Sequence, residues 1–463
     1  MKRSVISLSL ALAFAGSLFS YVEIAAQDFA RDPGGRRDTG ARDPGVRGGG
    51  AGAGTAITGL SPTQSAFFTA GQNSFTATEA ITDGLGPRMN LDSCSGCHAQ
   101  PAIGGTSPFS NPQVAFAKGG TDTVPAFLAP NGPVREARFV ANADGTADGG
   151  VHAIFTITGR AGATGCQLAQ PDFATQLRNK NVIFRIPTPT FGAGLIEEIP
   201  DSAIVANQAS SAASKLALGV RGRPNFNISG FTITGQTNHN GNDGTIARFG
   251  WKAQNKSLLL FSGEAYNVEM GITNEIFQTE RDETLSCQFA TVPNDVTNTD
   301  QTAPTAVVSD IVKFALFMRF LAPPTPSPDT PGGAQSIGNG KNLFSSIGCA
   351  LCHTPTLTTG NATVAALRNQ PVNLYSDLLI HDMGVGLADG VSQGQAGPRE
   401  FRTAPLWGLG QRIFFLHDGR TADLYVAIQA HASQGSEAYG VVANFNALWA
   451  TQKQDLLNFL RSL

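Results

Sequence analysis

Apolar residues recur at helical spacing in three parts of the chain. In residues 445–463 the apolar positions of this pattern are Leu448, Leu456, Leu457, Phe459, Leu460 and Leu463. The stripe predicts an amphipathic closing helix. Residues 335–347 predict a second helix that ends at Gly348, and the apolar run of residues 311–321 predicts a third. The chain is therefore expected to be mainly α-helical.

Three shorter segments have the features of β-strands. Residues 151–158 alternate in part between apolar and polar side chains, and residues 182–186 and 226–234 also fit short strands. All three lie in the first two thirds of the chain. We therefore expect β-hairpins and long loops inserted among the helices of that part.

Composition narrows the class of protein. The 463 residues predict two or three domains, and 53 Gly with 26 Pro indicate long loops. No Gly-X-Y period or heptad runs through the chain, which excludes collagen-like and coiled-coil folds. The 29 Phe can build a core, so wholesale disorder is excluded. Lys and Arg (32) do not outnumber Asp and Glu (35), and this balance indicates no nucleic-acid partner.

The first residues have the pattern of an export signal. Lys2 and Arg3 precede an apolar stretch over residues 5–19, and small residues follow it. The alternative is an N-terminal membrane anchor, but the apolar run is short and no second span follows. Residues 1–26 are thus predicted to be a signal peptide. Its cleavage would leave a periplasmic or secreted protein with no stable membrane span.

Four of the six cysteines belong to two motifs of the same kind. Cys94-Ser-Gly-Cys97-His98 and Cys349-Ala-Leu-Cys352-His353 have the Cys-X-X-Cys-His spacing that attaches c-type haem. The two thiols reach the vinyl groups of one porphyrin, and the adjacent imidazole becomes the proximal iron ligand. The alternatives are a redox-active cysteine pair or half of a zinc site. Because the motif occurs twice in a chain predicted to be exported, we predict two covalently bound haems.

Cys166 and Cys287 remain outside the two motifs. In an oxidising compartment two spare thiols most often pair, so we predict a disulfide between them. The alternative is two buried free thiols, because the sequence does not show whether their Cα atoms come within reach.

The haem motifs divide the chain into two cytochrome c-like domains. The first is predicted over residues 57–321, with the inserted β-hairpins, and the second over residues 334–463. A stiff, Pro-rich linker over residues 322–333 joins them. Residues 27–56, rich in Gly and Arg and almost free of apolar residues, are predicted to be a disordered tether.

Five segments of the sequence carry a resemblance to a known family. They are SCSGCH (93–98), PTPTFGAGLIE (187–197), RFGWKA (248–253), LIHDMG (379–384) and FRTAPLW (401–407). With them the chain resembles bacterial di-haem oxidoreductases, and more distantly the di-haem cytochrome c peroxidases, from residue 59 to residue 463. These segments are specific for the family and much less specific for the substrate.

The resemblance implies roles for two residues of the first domain. In di-haem peroxidases a Trp lies between the haems and a Glu-Met-Gly sequence lies over the active haem, and the matching residues here are Trp251 and Glu269. A buried carboxylate can take a proton from hydrogen peroxide and return it to the leaving oxygen, because burial raises its pKa. Glu264 and Tyr266 are the alternatives for this role. A core Trp and a surface Glu are the alternative interpretations.

The resemblance also implies the sixth ligand of the second haem iron. The position that carries a ligating Met in the peroxidases is His431 here. Ligation by two His closes the iron and lowers its reduction potential relative to a His/Met pair, which favours electron transfer. Met383 is the alternative ligand, and a solvated His at a helix end is the alternative interpretation of His431.

Further residues follow from the same comparison. A distal His that many peroxidases shed on activation corresponds to Val114, which implies an open iron at the first haem. Arg248 and Arg402 are expected to bind haem propionates, because Arg binds carboxylates bidentately. His381 and His417, each followed by Asp, are expected to orient a ring or bond a propionate. The peroxidase relatives hold a Ca²⁺ between their domains, but no run of Asp and Asn identifies its ligands here.

The residues and the resemblance together predict a peroxidase. It would reduce hydrogen peroxide to water with electrons from a small redox protein of cytochrome c or cupredoxin type. The first alternative is a di-haem oxygenase that cleaves an organic substrate with dioxygen, which a wholly apolar pocket over the iron would favour. The second is a non-catalytic electron carrier, which requires a strong sixth ligand on both irons.

Overall fold

The computed structural model describes residues 40–119, 123–147, 155–156, 163–166, 168–226, 246–278, 285–287, 308–326 and 331–463. Within these residues the protein is mainly α-helical. None of the described helices is long and apolar enough to span a membrane. The predicted signal peptide lies outside the described residues.

Thirteen α-helices are present in the described part of the chain. They are α1 (Pro62–Thr76), α2 (Cys94–Cys97), α3 (Pro112–Gly119), α4 (Phe173–Arg178), α5 (Ala193–Glu197), α6 (Asp201–Ala209), α7 (Ala212–Leu218), α8 (Leu258–Met270), α9 (Asp310–Phe320), α10 (Gly333–Ser346), α11 (Leu424–Ala430), α12 (Tyr439–Ala447) and α13 (Ala450–Ser462). The helices predicted over 311–321 and 335–347 are therefore observed as α9 and α10.

Ten short strands form antiparallel pairs in the same described residues. They are β1 (Arg88–Met89), β2 (Glu136–Phe139), β3 (Phe155–Thr156), β4 (Val182–Arg185), β5 (Asn225–Phe226), β6 (Ile246–Ala247), β7 (Leu357–Thr358), β8 (Pro371–Val372), β9 (Ile380–Asp382) and β10 (Glu400–Arg402). The pairs are β1 with β3, β2 with β4, β5 with β6, β7 with β8 and β9 with β10. The strand predicted over 182–186 is observed as β4. Most of the other two predicted strands lies outside the described residues.

The first hydrophobic core is built around the crossing of α1 and α9. The helices approach so closely that a Cβ on Gly71 would lie 2.2 Å from the carbonyl oxygen of Lys313. The Phe75 ring of α1 lies 4.9 Å from the Phe317 ring of α9. The same Phe75 ring meets the His98 ring edge-on at 5.8 Å. This core therefore sets the position of the first haem motif.

The second core repeats this arrangement with α10 and α13. A Cβ on Gly340 would lie only 2.0 Å from the Asp455 carbonyl oxygen, so the helices cross in close contact. The Phe344 ring of α10 lies 5.5 Å from Phe459 of α13 and 6.4 Å from the His353 ring. In both cores a Gly thus permits a close crossing, and a Phe from the crossing helix contacts the His of the haem motif.

The predicted closing helix over 445–463 is interrupted. Helix α12 ends at Ala447, and the backbone of Leu448 and Trp449 is extended before α13 begins. The Trp449 N–H donates to the Gln452 side chain at 3.0 Å, which caps the start of α13. The helical period did not reveal the break because apolar side chains continue across it.

An N-terminal strap, residues 40–57, ties the beginning of the described chain to its end. The Asp43 carboxylate accepts the Arg461 guanidinium at 2.6 and 2.7 Å and the Leu424 N–H at 2.7 Å. Only 1% of the Arg461 side chain is exposed. The prediction of a disordered tether is therefore wrong for residues 40–56. Composition could not show that these charged residues find buried partners near the other end of the sequence.

The Pro-rich segment after α9 is held by the same strap. The Thr325 N–H donates to the Gly52 carbonyl at 2.8 Å, and the Ala322 N–H donates to the Thr55 carbonyl at 2.9 Å. Residues 322–326 form neither a helix nor a strand. Its backbone is therefore bonded to the strap over residues 322–325.

We expect Asp43→Asn to lower the thermal unfolding midpoint of the haem-loaded protein by about 5–10 °C, because Arg461 stays buried without its carboxylate. Burial acts to raise the pKa of Asp43, but the Arg461 guanidinium holds it below its ordinary value. The stabilisation is therefore present above the pKa of the unfolded carboxyl, about 4, and is lost as the pH falls through the lower folded pKa.

Calorimetry at pH 7 and at acidic pH measures both effects. Asp144→Asn is the matched control, because Asp144 is exposed and its side chain bonds only the nearby Thr146. It should leave the midpoint nearly unchanged. An Asp43→Asn midpoint equal to that of the wild type would show that the strap adds no stability.

Candidate functional site

The first Cys-X-X-Cys-His motif forms one helical turn, α2, with His98 at its C-terminal end. The His98 N–H donates to the Cys94 carbonyl at 3.0 Å. The His98 Nδ1 lies 2.9 Å from the Gly105 carbonyl oxygen. A carbonyl only accepts, so Nδ1 carries the proton and Nε2 is left with its lone pair. Burial lowers the pKa of His98 to about 4, so the ring is neutral at pH 7. A neutral imidazole with a free Nε2 is the form that binds iron.

This motif opens into a cavity of about 1030 Å³ that Glu269 also lines. Glu269 lies near the end of α8. Burial and then the nearby Glu136 raise the pKa of its carboxyl to about 8, although Arg138 acts in the opposite direction. The carboxyl is therefore poised to gain or lose a proton near neutral pH. A protonated acid at this position is a consequence of both burial and like charge.

Glu264 and Tyr266, the alternatives for the acid–base role, line the same cavity. The Glu264 carboxylate accepts a short hydrogen bond from the Asn255 side chain. Among the described residues that line this cavity, His98 is the one histidine. Val114, the position of the distal His in many peroxidases, lies in a separate apolar cluster with Ala117 and Leu128.

The second motif repeats the geometry of the first. The His353 Nδ1 lies 3.0 Å from the Tyr375 carbonyl oxygen, so it donates its proton there and leaves Nε2 free. Burial lowers the pKa of His353 to about 4. Cys349, Cys352 and His353 line a cavity of about 1390 Å³. Its walls are mainly apolar side chains from α10 to α13.

His431 lines the second cavity together with His353. It lies directly after α11, whose first turn is capped by the Asp423 side chain. The His431 Nδ1 donates to the Ala427 carbonyl at 2.7 Å, one turn back, and Nε2 is again free. Burial lowers the pKa of His431 as well. Met383, the alternative ligand, lines the same cavity, so both candidates are within it.

Trp251 lines both haem cavities and a third space of about 550 Å³ between them. Its indole N–H donates to the Ile186 carbonyl at 2.9 Å, and its own carbonyl accepts the Arg402 N–H at 2.8 Å. The next residue, Lys252, is buried and pairs with Asp389 at 3.0 Å. These bonds hold the indole at the wall shared by the three spaces.

Two buried arginines line the third space without a carboxylate partner among the described residues. They are Arg402 and Arg412. Burial, together with a neighbouring guanidinium, lowers the pKa of each to about 10. Such cations are costly to bury unpaired. Together with the two Cys-X-X-Cys-His cavities they fit haem, whose propionates bring the missing negative charge.

Arg248 does not have the role that the sequence suggested. It is 1% exposed, forms an ion pair with Asp201 and donates to the Ile199 carbonyl at 2.5 Å. It lines none of the three cavities described above. The expectation that Arg248 binds a propionate is therefore wrong, because its hydrogen-bonding capacity is used to join β6 to the loop before α6.

His381 and His417 line the second cavity but pair differently from expectation. His381 lies between the carboxylates of Asp377 at 3.0 Å and Glu437 at 2.8 Å rather than pairing with the adjacent Asp382. Burial acts to lower the pKa of His381, but the Cys352 sulfur and the Asp377 carboxylate hold it well above its ordinary value. His417 stacks on the Phe401 ring at 4.3 Å.

Cys352, Asp377 and His381 form the one group with metal-ligand spacing in the described residues. A sulfur, a nitrogen and an oxygen do not suit calcium, which takes oxygen ligands. The described residues therefore offer no support for the Ca²⁺ of the peroxidase relatives.

Cys166 and Cys287 form a disulfide, with Cα atoms 4.6 Å apart. Both sulfurs are buried in a small cluster with Ile81, Ala163 and Leu168. Neither cysteine lines a haem cavity. The disulfide therefore joins the segments around Cys166 and Cys287, and it lies outside both haem sites.

Sequence reasoning missed five charged residues that line these cavities: Glu136, Arg138, Arg185, Arg412 and Glu437. For the first two a signal was present. Glu136-Ala-Arg138-Phe alternates charged and apolar residues, which on a strand places both charges on one face. Arg412 has no comparable signal, because only the fold brings it to the space between the cavities.

A family model described as "Di-haem oxidoreductase, putative peroxidase" matches residues 135–463. The match contains the second haem motif, Trp251, Glu269 and His431, whereas the first haem motif precedes it. A comparison with curated proteins gave no significant match.

Three solved structures are similar over part of the chain. Hydrazine synthase of Kuenenia stuttgartiensis is 17% identical, with 35% of this chain and 56% of that chain covered and a TM-score of 0.22. A MauG-like protein associated with microbial copper homeostasis is 20% identical, with 35% and 54% covered and a TM-score of 0.24. The diheme peroxidase BthA from Burkholderia thailandensis is 16% identical, with 46% and 65% covered and a TM-score of 0.26.

The matched part thus spans between about half and two thirds of the length of these three proteins. At such TM-scores they do not define the fold of this chain. The family model is different, because it covers well over half of the 463 residues. The chain therefore belongs to the di-haem oxidoreductase family.

Proposed function

We propose that the protein is an exported, periplasmic peroxidase that reduces hydrogen peroxide to water with electrons from a small redox protein. The observation that carries the proposal is Glu269, a partly buried residue at the wall of the first motif's cavity, whose carboxyl has a pKa raised to about 8. A group of this kind, within reach of a bound substrate, is what proton transfer near neutral pH requires.

Two c-type haems are the cofactors of this proposal. Cys94, Cys97 and His98 would hold the first, in a domain over residues 57–321. Cys349, Cys352 and His353 would hold the second, with His431 on the opposite face, in a domain over residues 334–463. When bound, haem supplies iron-centred one-electron redox chemistry.

The residues of the first cavity would manage the protons of the reaction. Ionised Glu269 takes a proton from one oxygen of hydrogen peroxide and returns it to the other, which departs as water when the O–O bond breaks. Two electrons from the donor protein and two protons from solvent convert the remaining oxygen to a second water. Trp251, between the cavities, shortens the path of those electrons.

The charged lining of the first cavity separates this proposal from an oxygenase. Glu136, Arg138, Arg185, Glu264 and Glu269 all reach the cavity wall. An oxygenase acting on an apolar substrate calls for an apolar pocket instead. An electron carrier would need a strong sixth ligand at the first haem, and the described lining offers the thioether of Met318 but no second histidine.

His431→Ala should convert the second haem iron from low spin to high spin, because it removes the proposed sixth ligand. Low-temperature electron paramagnetic resonance on the fully ferric, haem-loaded protein measures the change. Met383→Leu is the matched control and should keep the low-spin signal. The opposite pair of results would assign the ligand to Met383.

Glu269→Gln should lower kcat/KM for hydrogen peroxide by about 10²-fold or more, because proton transfer by a placed group contributes about 10²–10⁴-fold. The high-spin signal of the first haem should remain in this variant but react slowly with one equivalent of peroxide. Stopped-flow absorbance and paramagnetic resonance record both.

Glu198→Gln is the control for this experiment. Glu198 is also buried, and burial raises its pKa to about 7, but it lines none of the described haem cavities. Its variant should keep the wild-type rate. A loss confined to Glu264→Gln would move the acid–base role to Glu264. Two low-spin signals in the wild type, unchanged by peroxide, would contradict the peroxidase and favour the electron carrier.

A further inference from the structure

Two charged residues of β2 line the first cavity and have no part in the function proposed above. Glu136 and Arg138 are two positions apart, so both project from the same face of the strand. The Arg138 Nη2 donates to the Glu136 carboxylate at 2.9 Å. Arg138 is 7% exposed, yet its Nε and Nη1 are buried without a hydrogen-bond partner in the described structure.

Unsatisfied donors on a buried guanidinium are costly. A buried polar group that loses its partner costs about 1–3 kcal/mol, and a charged group costs more. Arg138 cannot lower this cost by losing its proton. Burial acts to lower the pKa of Arg138, but the Glu136 carboxylate raises it above its ordinary value. A permanent cation with two free N–H groups at a cavity wall suits a ligand with acceptor oxygens.

The charges around Arg138 indicate which ligand this is. The charged residues of the cavity are Glu136, Arg138, Arg185, Glu264 and Glu269. Arg185 is already paired with Asp389 at 2.6 Å. A haem propionate beside Arg138 would add another carboxylate to three that are present, whereas hydrogen peroxide is neutral. Arg402 and Arg412, which have no carboxylate partner in the described residues, suit propionates better.

We infer that Arg138 is a catalytic residue that binds hydrogen peroxide through one of its unpartnered donors, Nε–H or Nη1–H, and that Glu136 is the positioning residue that holds the guanidinium. The inference rests on the proposed peroxidase function and extends it. While Glu269 moves the proton from the retained oxygen to the leaving oxygen, Arg138 stabilises the negative charge that develops as the O–O bond breaks. Arg138 itself gives up no proton, so the balance of the reaction is unchanged.

The test uses Arg138→Gln, Arg138→Lys and Glu136→Gln in the haem-loaded, full-length protein. Arg138→Gln should lower kcat/KM for hydrogen peroxide by about 10²–10³-fold, as expected for loss of a donor to a developing charge. Arg138→Lys keeps the charge but loses the fork of donors, so it should also be slow. Arg178→Gln, at the surface end of α4, is the control and should keep the wild-type rate.

The pH profile distinguishes this role from a structural one. Glu269 must be ionised to accept a proton, so kcat/KM falls as the pH falls through its pKa. The groups that face Glu269 are Glu264 on its own helix, Glu136 and Arg138 on β2, and the cysteines of α2, which are uncharged as thioethers. Arg138→Gln removes a cation and should move the profile to higher pH. Glu136→Gln removes an anion and should move it to lower pH.

Infrared difference spectroscopy gives a readout that does not depend on activity. The carbonyl band of protonated Glu269 should persist to higher pH in Arg138→Gln and disappear at lower pH in Glu136→Gln. Arg138→Lys should titrate like the wild type. Glu269→Gln identifies the band by its loss. The double variant Glu136→Gln/Arg138→Gln leaves no unpaired charge buried at β2, so it serves if a single variant folds poorly. It should reduce peroxide slowly, with a pH profile close to that of the wild type.

Four results would overturn the inference. One is a wild-type rate in Arg138→Gln together with a shifted midpoint potential of the first haem, which would assign Arg138 to a propionate. Another is a shift of the profile in the same direction for Arg138→Gln and Glu136→Gln. The third is a wild type that does not reduce peroxide, which would remove the proposed function as well. Activity lost in Glu269→Gln but kept in Arg138→Gln would remove only the inference.

Discussion

Three imidazoles in this protein depend on one kind of hydrogen bond. His98, His353 and His431 each donate Nδ1–H to a main-chain carbonyl oxygen 2.7–3.0 Å away. The bond fixes the tautomer and the plane of each ring, and burial keeps the ring neutral. A carbonyl can do this only if the backbone that carries it is rigid. Ala427 lies within α11, and the Tyr375 ring packs on Phe344 and Phe459 where α10 crosses α13. The two helix crossings also pack a Phe against the rings of His98 and His353.

The two haem cavities differ in the charged side chains that line them. The first has three carboxylates and two guanidinium groups at its wall, whereas the second is lined mainly by apolar side chains and by four histidines, with Arg402, Arg412 and Glu437 as its other charged groups. Charges in a wall of low dielectric shift pKa values and act strongly on a small polar substrate. The described lining of the second cavity has no carboxyl with a raised pKa, and its two neutral imidazoles, His353 and His431, favour a closed iron. The division of labour between the proposed haems therefore follows from the side chains that surround them.

The sequence predicted local elements better than long-range contacts. Helices α9 and α10 were predicted to within one or two residues, because their apolar periodicity is local. The break between α12 and α13 was not predicted, because apolar residues continue across it. The Cys-X-X-Cys-His spacing identified the haem motifs in the sequence. The family resemblance named Trp251 and Glu269, and both residues line the first cavity. Arg248 was misassigned because its partner Asp201 becomes a neighbour only in the folded chain.

The strap has a consequence for the order in which the molecule is completed. Asp43 and Arg461 are separated by 418 positions, so their ion pair cannot form until the last helix has been made. During translation Asp43 is synthesised early and Arg461 almost at the end. Until then the Asp43 carboxylate lacks its Arg461 partner. The ion pair that holds the strap therefore forms only after both haem-attachment motifs have been synthesised.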